Sequence, residues 1–188
     1  MRKVIYGGAV SLDLYLAGPG EAIDWLRWSD DAAAISAASF KGVDAMLMGR
    51  KTFEFGQKMG GGPKLSGVTS YVFSRTLEAL PEGAGVLVRD DAADFVRRLK
   101  GEAGPSTSLR TGGSSTGLGT GNIMVMGGGE IGSVLVAAGL VDEIGFSIHP
   151  VLLGGGTPAF HPFSRRIDLE LIEARPIARE CVLVRYRV

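Results

Sequence analysis

The sequence predicts a three-layer α/β fold, with a mostly parallel sheet covered by helices on both faces and an antiparallel C-terminal edge. Three observations carry this. Short apolar runs alternate with helix-like segments along most of the chain. The last two runs are joined only by the turn-like Arg175-Pro176-Ile177-Ala178, which leaves no room for a crossover and makes them an antiparallel pair. Three apolar runs also end in small, hydroxyl or basic residues: Met48-Gly49-Arg50-Lys51-Thr52, Phe73-Ser74-Arg75-Thr76 and Met126-Gly127-Gly128-Gly129-Glu130. The first and third of these open a helix, at the strand ends where open α/β sheets bind ligands.

Strands are expected at about 2–10, 44–49, 69–74, 84–88, 122–126, 142–150, 168–175 and 180–187. Between the first two, the alanine-rich stretch Asp30 to Phe40 opens on Ser29-Asp30-Asp31, a cap and an acidic first turn suited to a helix N-terminus. Lys51 to Lys58 continues the first glycine junction as a short helix. Asp90-Asp91 caps a helix through Leu99, with Phe95, Val96 and Leu99 at helical spacing and Arg97, Arg98 and Lys100 at its C-terminal end. Gly129 to Ala138 forms the next helix, stopped by Gly139. The segment at about 104–121 is polar and low in complexity, and reads as a flexible insertion that folding does not require.

With 188 residues the chain is expected to form a single domain, 1–188. Its 20 basic and 20 acidic side chains balance, so nothing suggests a nucleic-acid or anionic-membrane partner. One cysteine, Cys181, excludes an internal disulfide, and with only two histidines no metal site is expected. The apolar stretch Val4-Ile5-Tyr6 is too short for a signal sequence or a membrane span, so a reduced cytoplasm is the expected compartment.

The junctions carry the chemistry. A helix N-terminus presents unpaired N–H groups and partial positive charge, and Arg50, Lys51 and Thr52 add two cations and a hydroxyl there. Ser74 and Arg75 supply a second hydroxyl and guanidinium at a neighbouring strand end, a set suited to a monophosphate such as the 2′-phosphate of NADPH. The Gly127-Gly128-Gly129 run lets backbone approach a pyrophosphate or a flat ring, or else makes a tight strand-to-helix turn.

Met48 to Glu54, Phe73 to Arg75 and Ile123 to Ile131, together with Ser11-Leu12-Asp13 and His149 to Gly156, resemble the dihydrofolate-reductase-like family. The pattern is most similar to the riboflavin-biosynthesis reductase (RibD) C-terminal domain-like proteins within it. The resemblance implies an NADPH-dependent oxidoreductase that passes hydride to a pterin- or pyrimidine-like ring. Arg50, Lys51 and Thr52, after Gly49, would hold adenosine-side phosphates, with Ser74 and Arg75 on the 2′-phosphate. Gly127, Gly128, Gly129, Glu130 and Ile131 would border the pyrophosphate and nicotinamide, and Ala9 and Leu16 the carboxamide. It further implies a cis peptide between Gly127 and Gly128. The apolar terminal pair around Leu169 to Ile172 and Val182 to Val184 is read either as closing a homodimer, as in similar reductase domains, or as finishing the sheet.

The chain also departs from that family. Counting back from the Gly-Arg junction places Ala33 where dihydrofolate reductases carry the carboxylate that grips the pterin, so dihydrofolate is not expected as substrate. Asp30, about one turn earlier, is the candidate to replace it. Asp13 is read either as a proton donor in the cleft or as a turn-former bonding its own backbone. Trp25 and Trp28 are read either as a stacking surface for the substrate or as core. The competing reading of the whole chain is a nucleotide-binding protein without turnover.

Overall fold

A computed structural model describes residues 2–60, 66–101 and 120–188. Apart from Thr120 and Gly121, the segment expected to be an insertion lies outside the described residues. The elements are β1 (Val4–Ser11), β2 (Tyr15–Ala17), a 3-10 turn (Pro19–Glu21), α1 (Asp30–Ser39), β3 (Val43–Gly49), α2 (Arg50–Lys58), β4 (Thr69–Phe73) and β5 (Val86–Val88). They continue with α3 (Ala92–Lys100), β6 (Asn122–Met126), α4 (Gly129–Ala137), β7 (Glu143–His149), β8 (Thr157–Pro158), β9 (Glu170–Ile177) and β10 (Cys181–Arg187).

Eight strands form one sheet in the order β5-β4-β3-β6-β1-β7-β10-β9. Pairing is parallel from β5 to β7 and antiparallel for β7-β10 and β10-β9, the mixed sheet expected from the sequence. One feature was not expected. Tyr15–Ala17 and Thr157–Pro158 pair as a separate two-stranded ribbon, too short for any periodic signal.

Alternation along the strands sorts the core into layers. On one face Val4, Tyr6, Leu47, Ile123 and Val125 pack with Phe95, Val96 and Leu99 of α3 and Leu135 and Val136 of α4. On the other, Met46, Met48 and Val72 pack with Phe53 of α2. The central strands are therefore apolar on both sides, as parallel strands must be. Tyr6 sits at the centre of the first layer, edge-on to Phe146 and Phe160, with ring centroids at 5.3 and 5.6 Å. Its hydroxyl donates to the Ala159 carbonyl, and burial pushes its pKa up.

The caps work as read. Ser29 accepts from the Ala32 N–H at 3.1 Å, and Asp91 from the Ala93 and Asp94 N–H groups at 2.9 and 3.1 Å. One helix is unusual, because α1 buries no residue. Ile35 alone touches an apolar cluster, that of Ile177, Cys181 and Leu183. The alanine-rich α1 therefore leaves space between itself and the sheet.

Candidate cofactor and substrate cleft

That space belongs to a cleft of about 1330 Å³, which runs under α1 and out past the C-terminal ends of β1, β3 and β6. Two helices begin on it. The α2 N-cap is Gly49 and the α4 N-cap is Gly128, and neither has a side-chain cap, so the first N–H groups of both helices lack side-chain acceptors. The two ends are adjacent: a methyl placed on Gly128 would lie 3.6 Å from the Gly49 nitrogen and 3.7 Å from Ile131 Cδ1. Two positive helix ends thus converge on one point of the cleft wall, which favours a polyanion.

Each glycine of the run has its own reason. Gly127 and Gly128 take φ of 59° and 61°, a left-handed pair that side chains resist. A methyl on Gly127 would also strike Thr52 Oγ1 at 2.5 Å. Gly129 is excluded from substitution by contact alone, because its methyl would lie 1.9 Å from the Pro158 carbonyl oxygen of β8. The expected cis peptide between Gly127 and Gly128 is corrected, since the described chain has no cis bond. Two consecutive left-handed residues turn the chain from β6 into α4 instead.

The positions proposed for the cofactor, namely Ala9, Leu16, Gly49 to Thr52, Ser74, Arg75 and Gly127 to Ile131, all line the cleft. Several of their polar groups are engaged within the chain. Arg50 pairs with Glu54 at 2.9 Å, and Lys51 with Glu21 of the 3-10 turn at 2.9 Å. Ser74 Oγ accepts from the Thr76 and Leu77 N–H groups at 3.1 and 3.0 Å, which shapes the loop after β4. Arg89 braces that loop by donating to the carbonyls of Arg75, Leu77 and Glu78. Arg75 is exposed at the cleft rim.

The acidic candidates stand elsewhere. Asp13 does not line the cleft. Its carboxylate accepts from Ser11 Oγ at 2.6 Å, the Leu153 N–H at 3.1 Å and the Gly154 N–H at 2.8 Å, clamping the loop after β1 to the loop before β8. The Ser11 hydroxyl above all holds its carboxyl below the usual range; burial, the second influence, raises it, and the Gly154 and Leu153 N–H groups lower it further. It stays ionised, the opposite of what a proton donor needs. Asp30 is exposed at the start of α1 and is not a cleft residue. The position count is corrected as well. Ala33 is exposed and does not line the cleft; Ala32, Ile35, Ser36, Ala38 and Ser39 are the α1 residues that do, and none of them carries a carboxylate.

Trp25 is likewise outside the cleft. Its Nε1 donates to the Ala22 carbonyl at 3.1 Å, and its ring stands edge-on to His149 at 5.4 Å. Trp28, three residues on and 67% exposed, is the tryptophan that lines the cleft. His149 also lines it. Farther along the same face, Lys3, Glu143, Arg185, Glu173 and Arg175 form an alternating ladder of ion pairs across β1, β7, β10 and β9, at 2.7 to 3.4 Å. The Lys3 ammonium and then Arg185 hold Glu143 below the usual carboxylate range.

His149 predicts a pH dependence. Burial first, and then the Arg27 charge, hold its pKa below the ordinary 6.5. A histidine depressed on folding contributes stability that is complete above its unfolded value and is lost as pH falls through the lower folded value. The melting temperature should therefore be steady above about pH 6.5 and fall on acidification below it. His149→Gln, which keeps an acceptor for its neighbour, should remove that part of the fall, and an unchanged slope in calorimetric scans across this range would exclude His149 as its source.

Comparison with known proteins agrees with this architecture. The family model of the RibD C-terminal domain matches residues 114–183. The protein YyaP of Bacillus subtilis (strain 168), described as uncharacterized, is 28% identical over 98% of this chain and 94% of its own length. Among solved structures, a putative riboflavin biosynthesis protein from Shewanella sp. PV-4 superposes with a TM-score of 0.78 at 22% identity, covering 100% of this chain and 98% of that one. Dihydrofolate reductase from Enterococcus faecalis, complexed with NADP(H), superposes with a TM-score of 0.61 at 17% identity, covering 98% of this chain and 95% of that one. The fold is the dihydrofolate-reductase-like fold, and the resemblance seen in the sequence to that group and to the RibD C-terminal domain is shown.

Proposed function

We propose that this chain is an NADPH-dependent reductase that passes hydride to a small nitrogen heterocycle of the pterin or pyrimidine kind. The observation that carries this reading is the meeting of the α2 and α4 N-termini on one cleft rimmed by Arg50, Lys51 and Arg75. The residues fit the group. Where the two helix ends meet, Gly128 carries no side chain between them, which would let a pyrophosphate approach the N–H groups, and Arg75 at the cleft rim would take a further phosphate that NADH lacks. When bound, NADPH supplies the hydride, and the chain holds and orients both partners and keeps water away. Ala32 and Ser36 offer no acid to a pterin ring, so dihydrofolate is a poor substrate.

A fluorescence titration with NADPH, followed by cofactor-oxidation assays over a panel of reducible pterins and pyrimidines, tests the reading. Saturable binding and turnover of at least one ring are expected. Binding without turnover of any would favour a nucleotide-binding protein, and absence of binding would refute the cofactor assignment.

The Glu21 pair makes a smaller prediction. In this structure Glu21 holds Lys51 at 2.9 Å, with both side chains well exposed. A phosphate must compete with that carboxylate for Lys51. Glu21→Gln should therefore tighten NADPH by about 0.2–1 kcal/mol, the range of an exposed ion pair, with a weaker effect at high salt. Weaker NADPH binding in the variant would show that Glu21 itself contacts the cofactor.

The apolar side chains Leu169, Leu171, Ile172 and Val182 stand exposed at the β9 edge of the sheet. They support a homodimer closed through this edge. Sedimentation velocity should show a dimer that Leu171→Glu converts to monomer.

A further inference from the structure

His149 ends β7 on the cleft face of the sheet, beside Ser11 of β1 and two residues beyond Ser147, which pairs with Ala9. It is only 3% exposed, yet it lines the cleft. Its Nδ1 accepts from the Arg27 backbone N–H at 3.1 Å. A neutral imidazole with an acceptor at Nδ1 carries its hydrogen on Nε2. Among the described residues no group accepts from Nε2, and no buried side-chain nitrogen or oxygen is left unpaired, so this N–H opens on the cleft. The ring is fixed from the side by Trp25 at an interplanar angle of 87°. A fixed, nearly buried donor with no partner in its own chain is built to meet a ligand.

We propose that His149 is a substrate-contacting residue whose Nε2–H binds a carbonyl oxygen on the heterocycle that accepts the hydride. The proposal rests on the reductase reading and adds a chemical preference to it. Across the cleft, α1 contributes Ala32, Ile35, Ser36, Ala38 and Ser39, so this wall offers the ring apolar surface and hydroxyls and no carboxylate. A lactam or dione edge, rich in acceptors, matches that wall. An amidine edge, rich in donors, leaves its own N–H groups and the imidazole N–H unpaired together.

The test uses the full chain labelled with 15N-histidine. Its two histidines make the imidazole spectrum simple to assign by comparison with His149→Gln. The protein is loaded with NADP+, and 6-aminouracil or 2,4-diaminopyrimidine is titrated in. The free protein should show His149 as the Nε2–H tautomer, and 6-aminouracil alone should move that resonance. His149→Leu should weaken 6-aminouracil by about tenfold or more, whereas His149→Gln, which retains a donor, stays within about threefold of the parent. If His149→Leu does not fold, the spectrum of the unmodified chain still decides. An unmoved Nε2–H, a preference for the diaminopyrimidine, or no uracil binding to the loaded protein overturns the proposal while leaving NADPH binding intact. Failure of NADP+ and NADPH to bind at all overturns the reductase reading as well.

Discussion

Gly129→Ala should lower stability by about 3 kcal/mol or more, the upper end of the range for forcing a group into a filled site. The added methyl would sit 1.9 Å from the Pro158 carbonyl oxygen, a backbone atom that no rotamer change can move. The α4 N-terminus or β8 would have to shift, and β8 is held through the loop that Asp13 clamps. For a chain of this size the melting temperature should fall by roughly 6–12 °C. Gly128→Ala is the control. Its methyl meets no heavy atom nearer than 3.6 Å, so the penalty is that of a left-handed side chain, about 1–2 kcal/mol. It should impair NADPH binding more than folding, because it fills the space beside the two helix N-termini. Thermal unfolding and NADPH titration of both variants separate the roles. Equal losses of stability would show that β8 yields to the added methyl and that its close approach does not require glycine at 129.

What was legible in the sequence was whatever depends on neighbours in the chain. Ser29 and Asp91 cap the helices they precede because an N-cap acts on N–H groups two or three residues ahead. The central strands show as continuous apolar runs because both faces are covered, and the β9-β10 pair shows as two runs joined by a turn. The phosphate-friendly junctions are strand ends, so the sheet brings them to one cleft as soon as its strands are parallel.

What was not legible depends on contacts between distant segments. Nothing near Gly129 announces the carbonyl of Pro158, and nothing near Asp13 announces the N–H groups of Leu153 and Gly154, so the sequence leaves Asp13 between a proton donor and a turn-former and does not reveal the clamp. The face of α1 was miscounted by one residue, because a helix rich in alanine has no apolar stripe to fix its rotation, and Ala32 rather than Ala33 meets the cleft. A lone histidine such as His149 means little in a sequence until the Arg27 N–H at its Nδ1 is known. The trans peptide between Gly127 and Gly128 departs from an expectation that came from resemblance and not from these residues.

Arg75→Ala should weaken NADPH by about 1–3 kcal/mol, roughly 5- to 150-fold in Kd, and leave NADH almost unchanged. The two cations at the α2 N-terminus enter this comparison already engaged, Arg50 with Glu54 and Lys51 with Glu21, and the Ser74 hydroxyl is spent on the loop backbone. Arg75 carries no such pairing among the described residues, and Arg89 fixes the loop beneath it by bonding its carbonyl at 3.3 Å. A guanidinium on a braced loop matches phosphate oxygens two at a time without first breaking an internal ion pair. The contact should be to the phosphate that distinguishes NADPH from NADH, because the pyrophosphate common to both has the two helix N-termini. Parallel titrations of both cofactors at fixed ionic strength measure the difference directly. Arg75→Lys should recover part of the affinity, since charge survives but the planar fork does not. Equal losses for NADPH and NADH would move Arg75 to the shared pyrophosphate, and no loss for either would remove it from the site.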